Sequence, residues 1–235
     1  MNQNGSQSCC YSTNRSLRTA LVDELVCHLP YAIFAVVSSL VVMSVLCLLD
    51  GQVSAATAGK WHHLFHTLHF LHIVFAATGA VLAFRRYSQN LFGTLVIGSV
   101  VPAVFCTLSD AVMPYFGGRL AGIDMHFHWC FLDHFTTVLV FMMMGVLNGL
   151  VMSWHGNARQ ANYLVTSHAF HIFISALAST IFLVSQGFYH WEHHLGFVFL
   201  YLFFAVLLPC TFADVVVPTW AGLLAKGAGA KGRRA

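Results

Sequence analysis

Charge is what this sequence has least of. Of its 235 residues only 8% are Asp, Glu, Lys or Arg, against roughly 25% in an ordinary soluble domain. So few charges cannot cover a soluble surface, and with 58% hydrophobic residues and a mean hydropathy of +0.73 the chain reads as an all-α integral membrane protein rather than a soluble enzyme. A net charge of +3 is too small and too scattered to engage nucleic acid. Also missing are a phosphate-binding glycine loop, a Ser-His-Asp constellation and a redox Cys-x-x-Cys, so nothing points to ATP-driven transport or to hydrolysis by a serine nucleophile. The seven Cys do not form a secreted framework: Cys9 and Cys10 lie in a polar stretch, while Cys27, Cys47, Cys106, Cys130 and Cys210 lie in or beside apolar runs, where Cys behaves as a small hydrophobe. Residues 1–20 are polar, with Arg15 and Arg18 and no cleavage site, so the first apolar run is expected to stay as an anchor.

Six runs near 20 apolar residues stand out, at about 29–49, 64–84, 91–113, 132–153, 164–186 and 195–217. The connectors between them are short. If the N-terminus is cytoplasmic, nine of the 11 Lys and Arg fall inside and only Lys60 and Arg119 fall outside. Both termini are therefore expected in the cytoplasm of a plasma or bacterial inner membrane, with the lipid bilayer as the surrounding partner. The basic tail, with Lys226, Lys231, Arg233 and Arg234, acts as a positive anchor. Trp61, Trp129, Trp154, Trp191 and Trp220 sit near the ends of runs, as an interfacial belt does. Gly145, Asn148 and Gly149, with Met142 to Met144, suggest close helix packing.

The chain also repeats itself. Cys106-Thr-Leu-Ser-Asp110-Ala-Val-Met-Pro114-Tyr-Phe-Gly-Gly118 aligns with Cys210-Thr-Phe-Ala-Asp214-Val-Val-Val-Pro218-Thr-Trp-Ala-Gly222 at six identities in thirteen positions, where chance gives about one. Upstream, His69-x-x-His72 answers His168-x-x-His171, and His28 answers His134. Three spans per copy is an odd number, so the second copy is expected to cross in the opposite sense, as a 3+3 inverted-topology repeat. The expected organisation is a polar segment over 1–26, a first three-helix repeat over 27–118, an outer His-rich connector over 119–131, a second repeat over 132–222 and a cytoplasmic tail over 223–235.

Histidine is what the sequence has in excess: 15, more than Lys and Arg together. An ionisable residue inside a span is costly and marks function. Imidazoles at i and i+3 share a helix face, and with a carboxylate they suit Zn, Fe, Ni, Mn or Cu. Two ligand sets are expected: His69, His72, Asp110 and His134 in the outer half, and His28, His168, His171 and Asp214 in the inner half. An accessory set crowds the outer face: His62, His63, His66, His126, His128, Asp133, His190, His193 and His194. The resulting expectation is a small transition-metal transporter rather than an enzyme.

Two alternatives use the same residues. The His pairs could be axial ligands of two b-type haems in an electron-transfer protein, although paired aspartates are not needed for haem. His190-x-x-His193-His194 and His62-x-x-x-His66 resemble in form the motifs of di-iron desaturases and hydroxylases, which would imply a membrane metalloenzyme. The chain is short for those families, and both clusters fall on the outer face. Leu132-Asp133-His134 with His190-x-x-x-His194 resembles the seven-span metal hydrolases related to ceramidases, but only three spans follow Asp133, too few for that layout.

Overall fold

Apolar runs in a bilayer have no water to satisfy their backbone, so they form helices. The computed structural model describes residues 17–50, 56–127, 129–154 and 157–232, and side chains within them except those of 17–25, 27, 28, 50, 157–167 and 228–232. Among the described residues there is helix and no strand. Helix α1 runs Leu17–Asp50, α2 Ala58–Arg85 and α3 Leu91–Thr107. Helix α3 continues through a π-helical turn, Leu108–Val112, into α4, Met113–Leu120. A single turn, α5 (Cys130–Asp133), precedes α6 (Phe135–Ser153), and α7 spans Asn157–Ser185. After a 3₁₀ turn at Trp191–His194, α8 (Leu195–Thr211) passes through a second π turn, Phe212–Val216, into α9 (Val217–Gly232). Six of these stretches are long and apolar enough to cross a membrane.

Several bounds differ from the sequence reading. Helix α1 begins inside the segment read as polar, and α9 continues through the stretch read as a tail. Helix α2 starts at Ala58 and α7 at Asn157, six or seven residues before the apolar runs do, because Trp61, His62 and His63 join the first turns of α2 and polar Asn157 to Gln160 those of α7. Trp129, Trp154 and Trp220 are exposed at span ends, whereas Trp61 and Trp191 are packed into the core.

Helices α2 and α7 form the centre. They cross antiparallel, with Phe65 against Phe182 at 5.0 Å between ring centroids and His72 against His171 at 4.5 Å. Helices α3 and α6 pack on α2, while α1 and α8 pack on α7. The outer helices turn Phe92, Val104, Leu147 and Leu200 outward, as lipid-facing residues do. The α2–α6 contact depends on small residues. Thr78 Oγ1 donates to the Gly145 carbonyl at 3.0 Å and accepts from Asn148 Nδ2 at 3.2 Å, which requires the two backbones to approach closely.

Both π turns have a local cause. Pro114 and Pro218 stand four residues after Asp110 and Asp214. Proline has no N–H to offer the carbonyl at i−4, and its ring would strike it. The helix therefore widens by one residue: Met113 N–H bonds the Leu108 carbonyl and Val217 N–H bonds that of Phe212. Such bulges commonly occur at functional residues, and here each contains the aspartate.

A Cβ at Gly145 would fall 2.5 Å from the Val74 carbonyl oxygen, whereas one at Gly59 would meet nothing within 4 Å. Gly145→Ala should therefore cost about 1–3 kcal/mol of stability. Gly59→Ala should cost none, and thermal unfolding of the detergent-solubilised protein compares the two.

Candidate metal centre

His69 and His72 lie on one face of α2, and both meet the π turn that carries Asp110. Asp110 Oδ2 accepts from His69 Nδ1 at 2.9 Å and from His72 Nδ1 at 2.6 Å. All three side chains are buried. The second half repeats the pattern: His168 Nδ1 bonds Asp214 Oδ2 at 3.0 Å, and His171 Nδ1 lies 2.9 Å from the same oxygen, though turned off the hydrogen-bond direction.

These two groups are not separate sites. His72 and His171 each lie half-way along their helices, and their Nε2 atoms face each other at 2.8 Å. An imidazole whose Nδ1–H serves a carboxylate presents a lone pair at Nε2. His72 is in that state, whereas His171 Nδ1 makes no hydrogen bond among the described residues, so the 2.8 Å contact accommodates either the Nε2–H of His171 donated to His72 or a cation between the two nitrogens. The expected outer and inner sets are thus one continuous chain, Asp110–His72–His171–Asp214, at the middle of the bundle.

The two ends differ in their hydroxyl donors. Asp110 Oδ1 accepts from Ser109 Oγ and Ser175 Oγ, both at 2.8 Å, and Ser109 is itself held through its carbonyl by Ser179 Oγ at 3.0 Å. Among the described residues Asp214 Oδ1 has no hydrogen-bond partner. In the aligned repeat the positions of Ser109 and Ser175 are occupied by Ala213 and Ala76, which have no hydroxyl to give. Beside Asp214 the helix backbone of Gly79 comes so close that a Cβ would lie 3.1 Å from the carboxylate.

Two thiols complete the cluster. Cys106 Sγ and Cys210 Sγ lie 3.7 and 3.8 Å from His72 Nε2, and Cys210 is also 3.6 Å from Ser175 Oγ. Donor atoms close enough to share an ion occur in His72, His171 and Cys210, and in His69, His72 and Asp110, all buried. A third such group, His190, Glu192 and His193, is exposed. Cys106, Cys210, Ser109 and Ser175 did not emerge as functional residues from composition. The available signal was that Cys106 and Cys210 open the two aligned segments.

The other sequence candidates are more dispersed. His134 is exposed and stands against His66, at 4.5 Å between ring centroids, rather than with Asp110. It falls at the break before α6, with φ −123° and ψ 32°, so it sits at the rim. His62 Nε2 is 3.1 Å from His66 Nε2. His63, His126, Asp133, His190, His193 and His194 are exposed. The His28 side chain and His128 lie outside the described residues. Outside the spans, burial pushes the Cys130 thiol up to about 12, so it stays protonated.

The chain matches no protein-family model, no curated protein and no solved structure. Its chemistry is therefore read from its own residues. Buried His, Asp and Cys groups that could hold a metal ion sit among six membrane-length helices.

Ser175→Ala removes a hydroxyl from a buried carboxylate. It should lower stability by about 1.5–3 kcal/mol, read as a drop in thermal midpoint, while Ser44→Ala, whose hydroxyl only returns to the Leu40 carbonyl of its own helix, should change it little.

Proposed function

We propose that this protein is a transporter of divalent transition-metal ions, and that the ion passes through the centre of the bundle held between Nε2 of His72 and Nε2 of His171. The facing Nε2 atoms carry the reading. With neutral imidazoles the cluster holds two buried negative charges, Asp110 and Asp214, which a divalent cation offsets. Each imidazole has a carboxylate oxygen within 2.9 Å of Nδ1, hydrogen-bonded at His72 and close beside His171; a carboxylate so placed orients metal-binding histidines and raises their basicity. At about 2.0–2.1 Å from each nitrogen, an ion would see the present 2.8 Å spacing as an angle of about 90°. A widening of roughly half an ångström gives the tetrahedral angle.

The pairing of His69 with His168, His72 with His171, Asp110 with Asp214 and one π turn with the other supports a 3+3 inverted repeat. In such proteins the substrate binds near the midplane, where the repeats meet. The Lys and Arg distribution supports cytoplasmic termini. Haem b is not favoured. Each His pair turns Nδ1 to a carboxylate, and His72 and His171 leave no slab between their rings for a macrocycle. The exposed His190, Glu192 and His193 group is apart from the buried chain and offers no enclosed place for a metalloenzyme reaction.

Proteoliposomes containing the protein should take up Zn²⁺, Ni²⁺ or Co²⁺, followed with an encapsulated metal-sensitive dye. Asp110→Asn and Asp214→Asn should each reduce uptake by about 10–100-fold, the usual effect of removing a carboxylate behind a metal-binding His. Undiminished uptake in both variants, or a Soret band in the purified protein, would overturn the proposal.

A further inference from the structure

The ion's chemical class follows from two residues that the transport reading leaves unused. We infer that Cys106 and Cys210 bind it as thiolates together with Nε2 of His72 and His171, making a Cys₂His₂ centre selective for thiophilic d-block ions such as Zn²⁺ and Co²⁺ over Mn²⁺ or Mg²⁺. The inference rests on the proposed reading of this cluster as a metal centre and adds its donor set.

Geometry is the first support. Metal–sulfur and metal–nitrogen bonds of about 2.3 and 2.0–2.1 Å put neighbouring donors of a tetrahedral site roughly 3.3–3.8 Å apart. Sulfur–nitrogen separations of 3.7 and 3.8 Å at His72 Nε2 already meet that spacing, and the nitrogen–nitrogen separation is 2.8 Å. His72, His171 and Cys210 are within sharing distance of one another; Cys106 touches the same His72 nitrogen from α3 but stands outside that group, so it completes the donor set by moving toward His171 and Cys210 as the ion binds.

Sequence placement is the second. In both aligned segments the Cys precedes the Asp by four residues, as Cys-Thr-x-x-Asp, which puts thiol and carboxylate on one helix face. Asp110 then holds Nδ1 of His72 while Cys106 reaches its Nε2. Both thiols are buried, and Cys210 has besides His72 a contact to Ser175 Oγ, itself bonded to Asp110.

The charges balance. Before binding, two carboxylates, neutral imidazoles and two thiols sum to −2, and the ion brings the total to zero. As each Sγ binds the metal it gives up its proton. Those two protons go to His69 and His168, which become imidazolium partners of Asp110 and Asp214. The two thiolates face the ion, so no net charge is left in the hydrocarbon. Soft thiolates then exclude ions that prefer oxygen.

Titration of the full-length, metal-free protein in detergent with Co²⁺ tests this. Wild type should show a sulfur-to-cobalt charge-transfer band in the near ultraviolet and intense visible bands of tetrahedral cobalt. Zn²⁺ should displace them and Mn²⁺ should not. Cys106→Ser and Cys210→Ser should each halve the charge-transfer band, and the double variant should lose it; the alanine variants repeat the comparison where serine disturbs packing. Cys9→Ser/Cys10→Ser should keep it. Cobalt bound at equal stoichiometry with no thiolate band, or a band lost with Cys9 and Cys10, overturns the thiolate assignment and leaves the proposed metal centre standing. No Co²⁺ or Zn²⁺ bound in equilibrium dialysis overturns both.

Discussion

Everything at the centre of this bundle follows from putting two carboxylates where there is no water. An ionised Asp in hydrocarbon is costly unless its oxygens are bonded, and the chain meets this by giving each aspartate a pair of imidazoles one helical turn apart. That requirement fixes which faces of α2 and α7 turn inward. The prolines fix where the π turns fall, since a regular helix through Pro114 or Pro218 would leave the carbonyl of Asp110 or Asp214 in collision with a proline ring. The close approach of α6 to α2, through Gly145 and Gly149, holds the innermost helix in place from its other side.

Much of this could be read without coordinates. The six spans follow from long apolar runs and scarce charge, because no other element satisfies its backbone in lipid. The residues that bond at the centre, His69, His72, Asp110, His168, His171 and Asp214, stand out as polar groups inside those runs. Depth was harder to judge. Counting from the start of apolar character puts His72 in the outer half and His171 in the inner half, but α2 and α7 begin six or seven residues earlier. At 1.5 Å rise per residue that shift is about 10 Å, enough to bring both imidazoles to the same level. His134 lies away from Asp110 for a related reason: α6 begins one residue after it, so it sits at the rim and meets His66.

The cysteines illustrate a different limit. In an apolar run a thiol looks like any small hydrophobe, and only its distance to an imidazole on another helix distinguishes a ligand from filler. Cys47 and Cys106 look alike by composition. What separates them is that Cys106 sits one turn before a carboxylate that points the same way.

The hydroxyls of Ser109 and Ser175 set the two aspartates apart. Hydrogen bonds to a charged group contribute about 1.5–3 kcal/mol each, and Asp110 Oδ1 accepts two of them, whereas among the described residues Asp214 Oδ1 accepts none. Two serines beside one carboxylate are answered by two alanines beside the other. Two segments so alike in their imidazoles and prolines therefore differ at the one place where they would otherwise be interchangeable.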